Sequence, residues 1–493
     1  MKFSQMFKTE DGKNLFVTFL LVTTLFLLWG FCNGMIDILN KHFQDALHIN
    51  KQQSGLVQSA NYLAYFLMAI PAGLIARRFG YKGGILVGLT LIAGGAFWFV
   101  HATSIGTYGS FLLGLFILAA GMSCLETIAN PYATVLGAPE SGATRINIAQ
   151  TINGCGWILG PIVGGAFVFS DKTGADVNAG LSMPYLGIGV FVTLLLVVFA
   201  FSKIPDLHAE EESKISGEKK NRLKPSGGQL AAIGIIVAAV CGLLYFFIAP
   251  ILQLIWELLR LPADMFAPVK YCVLIAAFVA AFFLVSGKWD LFRRRHFTMG
   301  IAAQFLYVSA QTGIFSFCVN YSMENVHGIT AMQAAKWLGA IGFVLFTVGR
   351  FCGSALISQF KAHGVLAVYA AINVGLSALC MVGGKIGLFA MFGTFFFMSV
   401  MFPTIFALAI RGLGDQTKFA SSLIVMSIVG GAIAAPFMGH IADTSSMRIG
   451  FVVPLVCFIG VGLYAAMWQT LESRDARGDN KKGDAKVVLT ATH

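Results

Sequence analysis

The chain has 493 residues, 57% hydrophobic and 12% charged, with 34 Lys and Arg against 23 Asp and Glu, a net charge of +11 and a mean hydropathy of +0.77. A water-soluble domain carries about 25% charged residues, so composition excludes one and calls for an all-α polytopic protein of the lipid bilayer. The positive charge does not signal nucleic acid, because the basic residues sit in short connections between apolar runs, the pattern of membrane topology.

A crossing helix needs about 20 apolar residues. Fourteen stretches qualify, near 14–38, 53–75, 83–101, 109–134, 146–170, 183–202, 229–256, 268–287, 297–320, 335–358, 365–383, 387–410, 419–441 and 449–469. The first follows Lys2, Lys8 and Lys13. It is too long for a signal-peptide core and no small-residue cleavage site follows it, so it is expected to stay as a crossing.

With a cytoplasmic N-terminus, about 25 Lys and Arg fall in cytoplasmic segments and about 8 in outer ones, a bias that fixes the orientation. Residues 203–228 carry Lys203, Lys214, Lys219, Lys220, Arg222 and Lys224. The segment before residue 297 carries Lys288, Arg293, Arg294 and Arg295. Both must be cytoplasmic, so the two stretches between them form a membrane hairpin.

The expected organisation is therefore a six-helix half (1–202), a basic cytoplasmic linker (203–228) and an inserted two-helix hairpin (229–287). A second six-helix half (288–471) and a charged, disordered cytoplasmic tail (472–493) follow. The halves resemble each other. RRFGYKG at 77–83 has its counterpart in SQFKAHG at 358–364, and the spacing of Pro131 and Pro161 is echoed by Pro403 and Pro436. Two such repeats in parallel suit a transporter holding its substrate between the halves.

Within the stretch 121–137, GMSCLETIANPYATVLG, an ionisable residue stands where a charge costs about 3 kcal/mol to insert. Ser123, Glu126, Thr127, Asn130 and Thr134 recur at three- and four-residue steps and make one polar face. In the first helix Trp29, Asn33 and Asp37 step by four. In the fifth, Asn147, Gln150, Gly154 and Trp157 share a face, with Asn153 beside it. In the first helix of the second half the face is Gln304, Tyr307 and Gln311.

Lipid does not tolerate such faces, whereas a wet cavity or a neighbouring helix does. Amides match vicinal hydroxyls, and aromatic rings cover the apolar face of a pyranose. The candidate substrate contacts are thus Asn33, Asn130, Gln150, Asn153, Trp157, Gln304, Tyr307 and Gln311, for a neutral polyhydroxylated solute. A carboxyl group withdrawn from water favours its neutral form and can exchange a proton, so Glu126 and Asp37 are the candidate coupling groups. Sodium, which carboxylate oxygens also bind, is the alternative ion.

Asp37 stands at the outer edge of its predicted helix, where it could be a solvated end residue. Arg350 lies inside a crossing and could snorkel to the cytoplasmic face; it is otherwise a candidate charge partner. The nine cysteines show no metal-ligand spacing and read as small buried apolar residues. No metal or cofactor is expected. The histidines are scattered near helix ends and in loops, which argues against an enzyme site. A drug exporter would favour a more apolar cavity with fewer amides, and a sensor that binds sugar without moving it is the remaining competitor.

Taken together, the segments 28–39 (LWGFCNGMIDIL), 56–62 (LVQSANY), 119–137 (AAGMSCLETIANPYATVLG), 146–153 (INIAQTIN), 303–311 (AQFLYVSAQ) and 402–406 (FPTIF) resemble the fucose–proton symporter branch of the major facilitator superfamily. The resemblance implies twelve helices in two six-helix halves, so the hairpin is an addition, giving about 14 crossings. It implies that Asp37 and Glu126 serve proton coupling and sugar binding, and that Gln150 belongs to the family's AQT motif. Gly34 departs from the Asn found there in fucose carriers. The expectation is a monomeric importer of a hexose of the glucose, galactose or fucose type, driven by protons. It would lie in the cytoplasmic membrane with both termini inside, its partners being the sugar and the bilayer.

Overall fold

The computed structural model describes residues 6–8, 14–137, 142–169, 179–202, 204, 289–326, 328–413 and 416–490, and these are almost entirely helical. The hairpin expected at 229–287 lies outside the described residues, as does the linker before it apart from Ile204. The first half comprises α1 (Phe16–Leu47), α2 (Leu56–Ile105), α3 (Tyr108–Val135), α4 (Gly142–Val168) and α5 (Ala179–Phe201). The second comprises α6 (Arg295–Asn325), α7 (Ala331–Ile357), α8 (Ala362–Val382), α9 (Gly384–Ile410), α10 (Leu423–Thr444) and α11 (Val452–Thr490).

Eleven helices among the described residues are long and apolar enough to cross a membrane. One of these is the limb of α2 after its bend, and the limb 56–79 before it is a further helix. The bend is at Gly80, with φ 69° and ψ −178°, a conformation that costs a side chain with a β-carbon heavily. The basic turn RRFGYKG is thus taken into the ends of two helical limbs.

Helix packing follows from small residues. Along the α1–α4 crossing, Gly156 faces the backbone of Leu27 and Phe31, and Gly160 that of Phe31 and Gly34, while Gly30 and Gly34 face Asn153 and Trp157. In α2 and α3, Gly88 and Gly121 face each other's backbone, and Gly95 faces Leu118. Close backbone approach at small residues is how helices associate where no hydrophobic drive exists between them. Three helices of the second half are also interrupted. A π-helical turn at Leu338–Phe343 breaks α7, α9 is broken between Met398 and Met401, and a 3₁₀ turn at Ser427–Val429 sits in α10.

Four expectations need correction. The helix α1 continues to Leu47, ten residues past Asp37, because NKHFQDAL packs its apolar side inward; Asp37 is therefore buried and not a solvated end residue. Arg350 does not snorkel: its Nε is buried and its guanidinium lies 5.0 Å from the centroid of the Phe346 ring. Cys155 and Cys352 are exposed, on outward faces they share with Leu159 and Val348. A thiol is apolar enough for such a face. Finally, α11 runs on to Thr490, so the charged residues from Glu472 continue a helix where disorder was expected.

Candidate substrate site

The first half brings its polar faces together. The Asp37 carboxylate is 5% exposed. Its Oδ1 accepts a hydrogen bond from Gln58 Nε2 at 2.9 Å, while its Oδ2 has no partner. Trp29 Nε1 donates to the Tyr65 hydroxyl at 2.6 Å. The Asn33 amide donates to the Trp29 carbonyl at 3.0 Å and touches the Met122 sulfur. On α4, Gln150 Nε2 donates to Asn130 Oδ1 of α3 at 3.1 Å.

Glu126 is half-buried. Among the described residues its carboxylate has no hydrogen bond or ion pair, yet it lies close enough to act electrostatically on both Tyr62 and Tyr65. Asp37 acts on Tyr62 as well. The first limb of α2 therefore supplies Gln58, Tyr62 and Tyr65 as the bridge between the two carboxylates. These three were not among the candidates, although their steps of four and three within LVQSANYLAY were the available signal.

Other candidates serve packing in this state. Asn153 Nδ2 donates to the Phe26 carbonyl at 2.9 Å and so ties α4 to α1. The Tyr307 hydroxyl donates to the Met398 carbonyl at 2.9 Å, where the break in α9 frees it. Gln304, one turn earlier, is fully buried with neither amide atom partnered. Gln311 is half-buried. Trp157 reaches across to the second half, with ring centroids 5.0 Å from Phe343 and 5.8 Å from Phe315.

The contacts between halves are unevenly placed. Asp443 accepts the backbone N–H groups of Lys51 and Gln52 at 3.1 and 2.8 Å. Lys51 pairs with Glu324 at 2.7 Å, and His440 Nδ1 lies 3.0 Å from Gln52 Oε1. Asn40 donates to the Ser316 carbonyl, Asn320 to Gln44, and Ser59 to the Ala432 carbonyl. Nearer the centre, Tyr62 packs beside Gly431 and the hydroxyl of Thr312. Among the described residues, all these polar ties lie in the half of the bundle that the basic residues place outside.

At the opposite end the polar ties among the described residues run within each half. Arg145 donates to the carbonyls of Met6 and Ala133, and Lys82 to those of Ala200 and Ser202. His296 bonds Asp475, and Trp468 donates to the Leu408 carbonyl. Among the described residues, the polar ties that join the halves thus gather on the outer side.

Two helical halves, tied together at one end around polar faces at membrane depth, are the architecture of a secondary transporter. The chain belongs to the Major Facilitator Superfamily, whose family model matches residues 16–427. It is 35% identical over 478 residues to the L-fucose-proton symporter of Escherichia coli (strain K12), a match covering 92% of this chain and 94% of that protein. With the glucose/galactose transporter of Brucella abortus biovar 1 (strain 9-941) it shares 31% identity over 467 residues, covering 93% and 95%. The crystal structure of FucP, a superfamily transporter in the outward conformation, aligns with a TM-score of 0.59 at 33% identity, covering 92% of this chain and 99% of that one.

Proposed function

We propose that this chain imports a hexose of the glucose, galactose or fucose type together with a proton, by alternating access between its two halves. The observation that carries the reading is Glu126. It is an unpaired carboxylate at membrane depth, beside the Gln150–Asn130 amide pair and joined through Tyr62 to the environment of Asp37. The names of the relatives, a fucose–proton symporter and a glucose/galactose transporter, support the substrate class and the ion.

In this reading Asp37 meets the outer solution when the outer end opens, and Glu126 releases the proton inward in the state described here. Asn130, Gln150 and Gln311 contact the sugar directly. Gln304, Asn33, Asn153, Trp157 and Tyr307 adjoin that surface and join it as the halves rock. The chain acts as a monomer in the cytoplasmic membrane, with both termini inside. Residues 229–287 add a two-helix hairpin to the twelve crossings, making fourteen.

The test is uptake into proteoliposomes under an imposed pH gradient in sodium-free buffer, with labelled glucose, galactose, fucose, fructose and N-acetylglucosamine. One hexose accumulates in the wild type. In Glu126→Gln accumulation is lost while exchange of labelled for unlabelled sugar survives. Absence of uptake for every sugar, with Glu126→Gln indistinguishable from wild type, would remove the reading.

A further inference from the structure

Arg350 takes no part in the ties or the coupling scheme. It is a guanidinium inside a membrane crossing. Its Nε is buried and unpartnered, and among the described residues it makes no hydrogen bond or ion pair. Its contacts are the face of Phe346, one turn earlier on its own helix, and the neighbourhood of the Tyr307 hydroxyl on α6. An unpaired charge in a dry interior costs several kcal/mol, so Arg350 calls for water or an acceptor.

The opposite charge is at the same depth in the other half. Glu126 lies about 27 Å along α3 from its outer end at Tyr108, and Arg350 about 28 Å along α7 from Ala331, at 1.5 Å per residue. Both are unpaired here. Glu126 is faced by Tyr65 and Tyr62 from α2, and Arg350 by Tyr307 from α6. Asp37, the other carboxylate, is held against Gln58 and lies ten residues from the outer end of α1. When the inner end closes and water leaves, Arg350 needs an acceptor, and ionised Glu126 is the anion at its level.

We propose that Arg350 is the residue that forbids proton leak, by requiring either ionised Glu126 or a bound sugar before the inner end can close. The proposal rests on the symport reading above. In the empty carrier, ionised Glu126 and Arg350 pair as the halves meet, and the net-neutral pair returns outward. In the loaded carrier the proton sits on Glu126. The guanidinium then donates its N–H groups to sugar hydroxyl oxygens, which replace the carboxylate. Protonated Glu126 without sugar leaves Arg350 bare, so that state does not close. A proton alone is not carried.

The test uses full-length protein in proteoliposomes loaded with a pH-sensitive dye, under an inward proton gradient, with the hexose that the wild type accumulates. Wild type admits protons only when sugar is present. Arg350→Gln admits them without sugar and loses sugar accumulation while retaining exchange. The leak disappears in the double variant Arg350→Gln/Glu126→Gln, and Arg350→Lys, which keeps the charge, remains tight.

The proposal is overturned if Arg350→Gln stays tight with wild-type accumulation, or if its leak persists without Glu126. Should Arg350→Gln fail to exchange sugar, Arg350→Lys decides. Tight coupling supports the charge requirement, and exchange with a sugar-independent leak overturns it. Wild type showing no sugar-dependent proton entry removes symport itself, and this proposal with it.

Discussion

Asn320 of the second half donates its side-chain N–H to Gln44 Oε1 of the first, 2.6 Å away. Two amides separated by 276 residues thus close the outer end of the cleft, one helical turn beyond the Asn40–Ser316 bond. Most of the other ties on this side use backbone groups, as where Asp443 accepts the N–H groups of Lys51 and Gln52. Outer closure therefore rests on a few hydrogen bonds, several of them exposed, and small changes in them should shift the balance between states.

Asp443→Asn is expected to weaken that closure. The pair of charge-assisted bonds is exposed, so its contribution is about 1 kcal/mol, equivalent to about fivefold in the ratio of outer-closed to outer-open protein. Disulfide formation between cysteines placed at Gln44 and Asn320 measures this. The rate should fall in Asp443→Asn, and an unchanged rate would take Asp443 out of the gate.

Two glycine substitutions separate gating from folding. A β-carbon at Gly439 would stand 2.5 Å from the Lys51 carbonyl oxygen, across the halves. A β-carbon at Gly156 would collide with the Leu27 carbonyl inside one half. Overpacking of this kind costs about 1–3 kcal/mol. Gly439→Ala should favour outward-open protein with little loss of melting temperature in detergent. Gly156→Ala should lower the melting temperature without favouring either state. The same cross-linking assay and a thermal melt distinguish them.

Gln304→Leu should trade binding for stability. A buried amide with no partner costs about 1–3 kcal/mol, and both polar atoms of Gln304 are in that position. An apolar side chain of similar volume relieves the cost, so the sugar-free protein should melt higher. Uptake affinity should fall, because the amide is then missing when the halves close on the sugar. A variant that melts higher and transports as well as wild type would place Gln304 outside the binding surface.

At the inner end, Asp475 Oδ2 accepts the backbone N–H of His296 at 3.0 Å and lies 2.8 Å from its Nδ1. The other ring nitrogen is 3.0 Å from the Arg411 carbonyl. Asp475→Ala removes an acceptor that joins α11 to the start of α6. It should destabilise the protein by about 2 kcal/mol, seen as a lower melting temperature with exchange intact.

Much of this was legible from local pattern. The four polar faces and the position of Glu126 follow from helical steps in apolar sequence. Helix length was less legible. The residues 40–47 are polar enough to suggest a loop, yet Phe43 and Leu39 are buried and hold them helical, which moves Asp37 inward. What periodicity could not yield was the partner of each group. Asp443 meets Lys51 across 392 residues, and whether Tyr307 faces substrate or bonds the broken end of α9 depends on where another helix is interrupted. Such facts are set by tertiary packing, which no window of sequence contains.

The seating of Trp157 between Phe315 and Phe343 gives the protein an optical reading of its own state. Its indole belongs to one half and its aromatic neighbours to the other. When the halves part at the outer end, the ring exchanges two aromatic contacts for water, and its emission should move to longer wavelength. With the other six of the seven tryptophans replaced by phenylalanine, the remaining fluorophore would follow each rocking event in unlabelled protein.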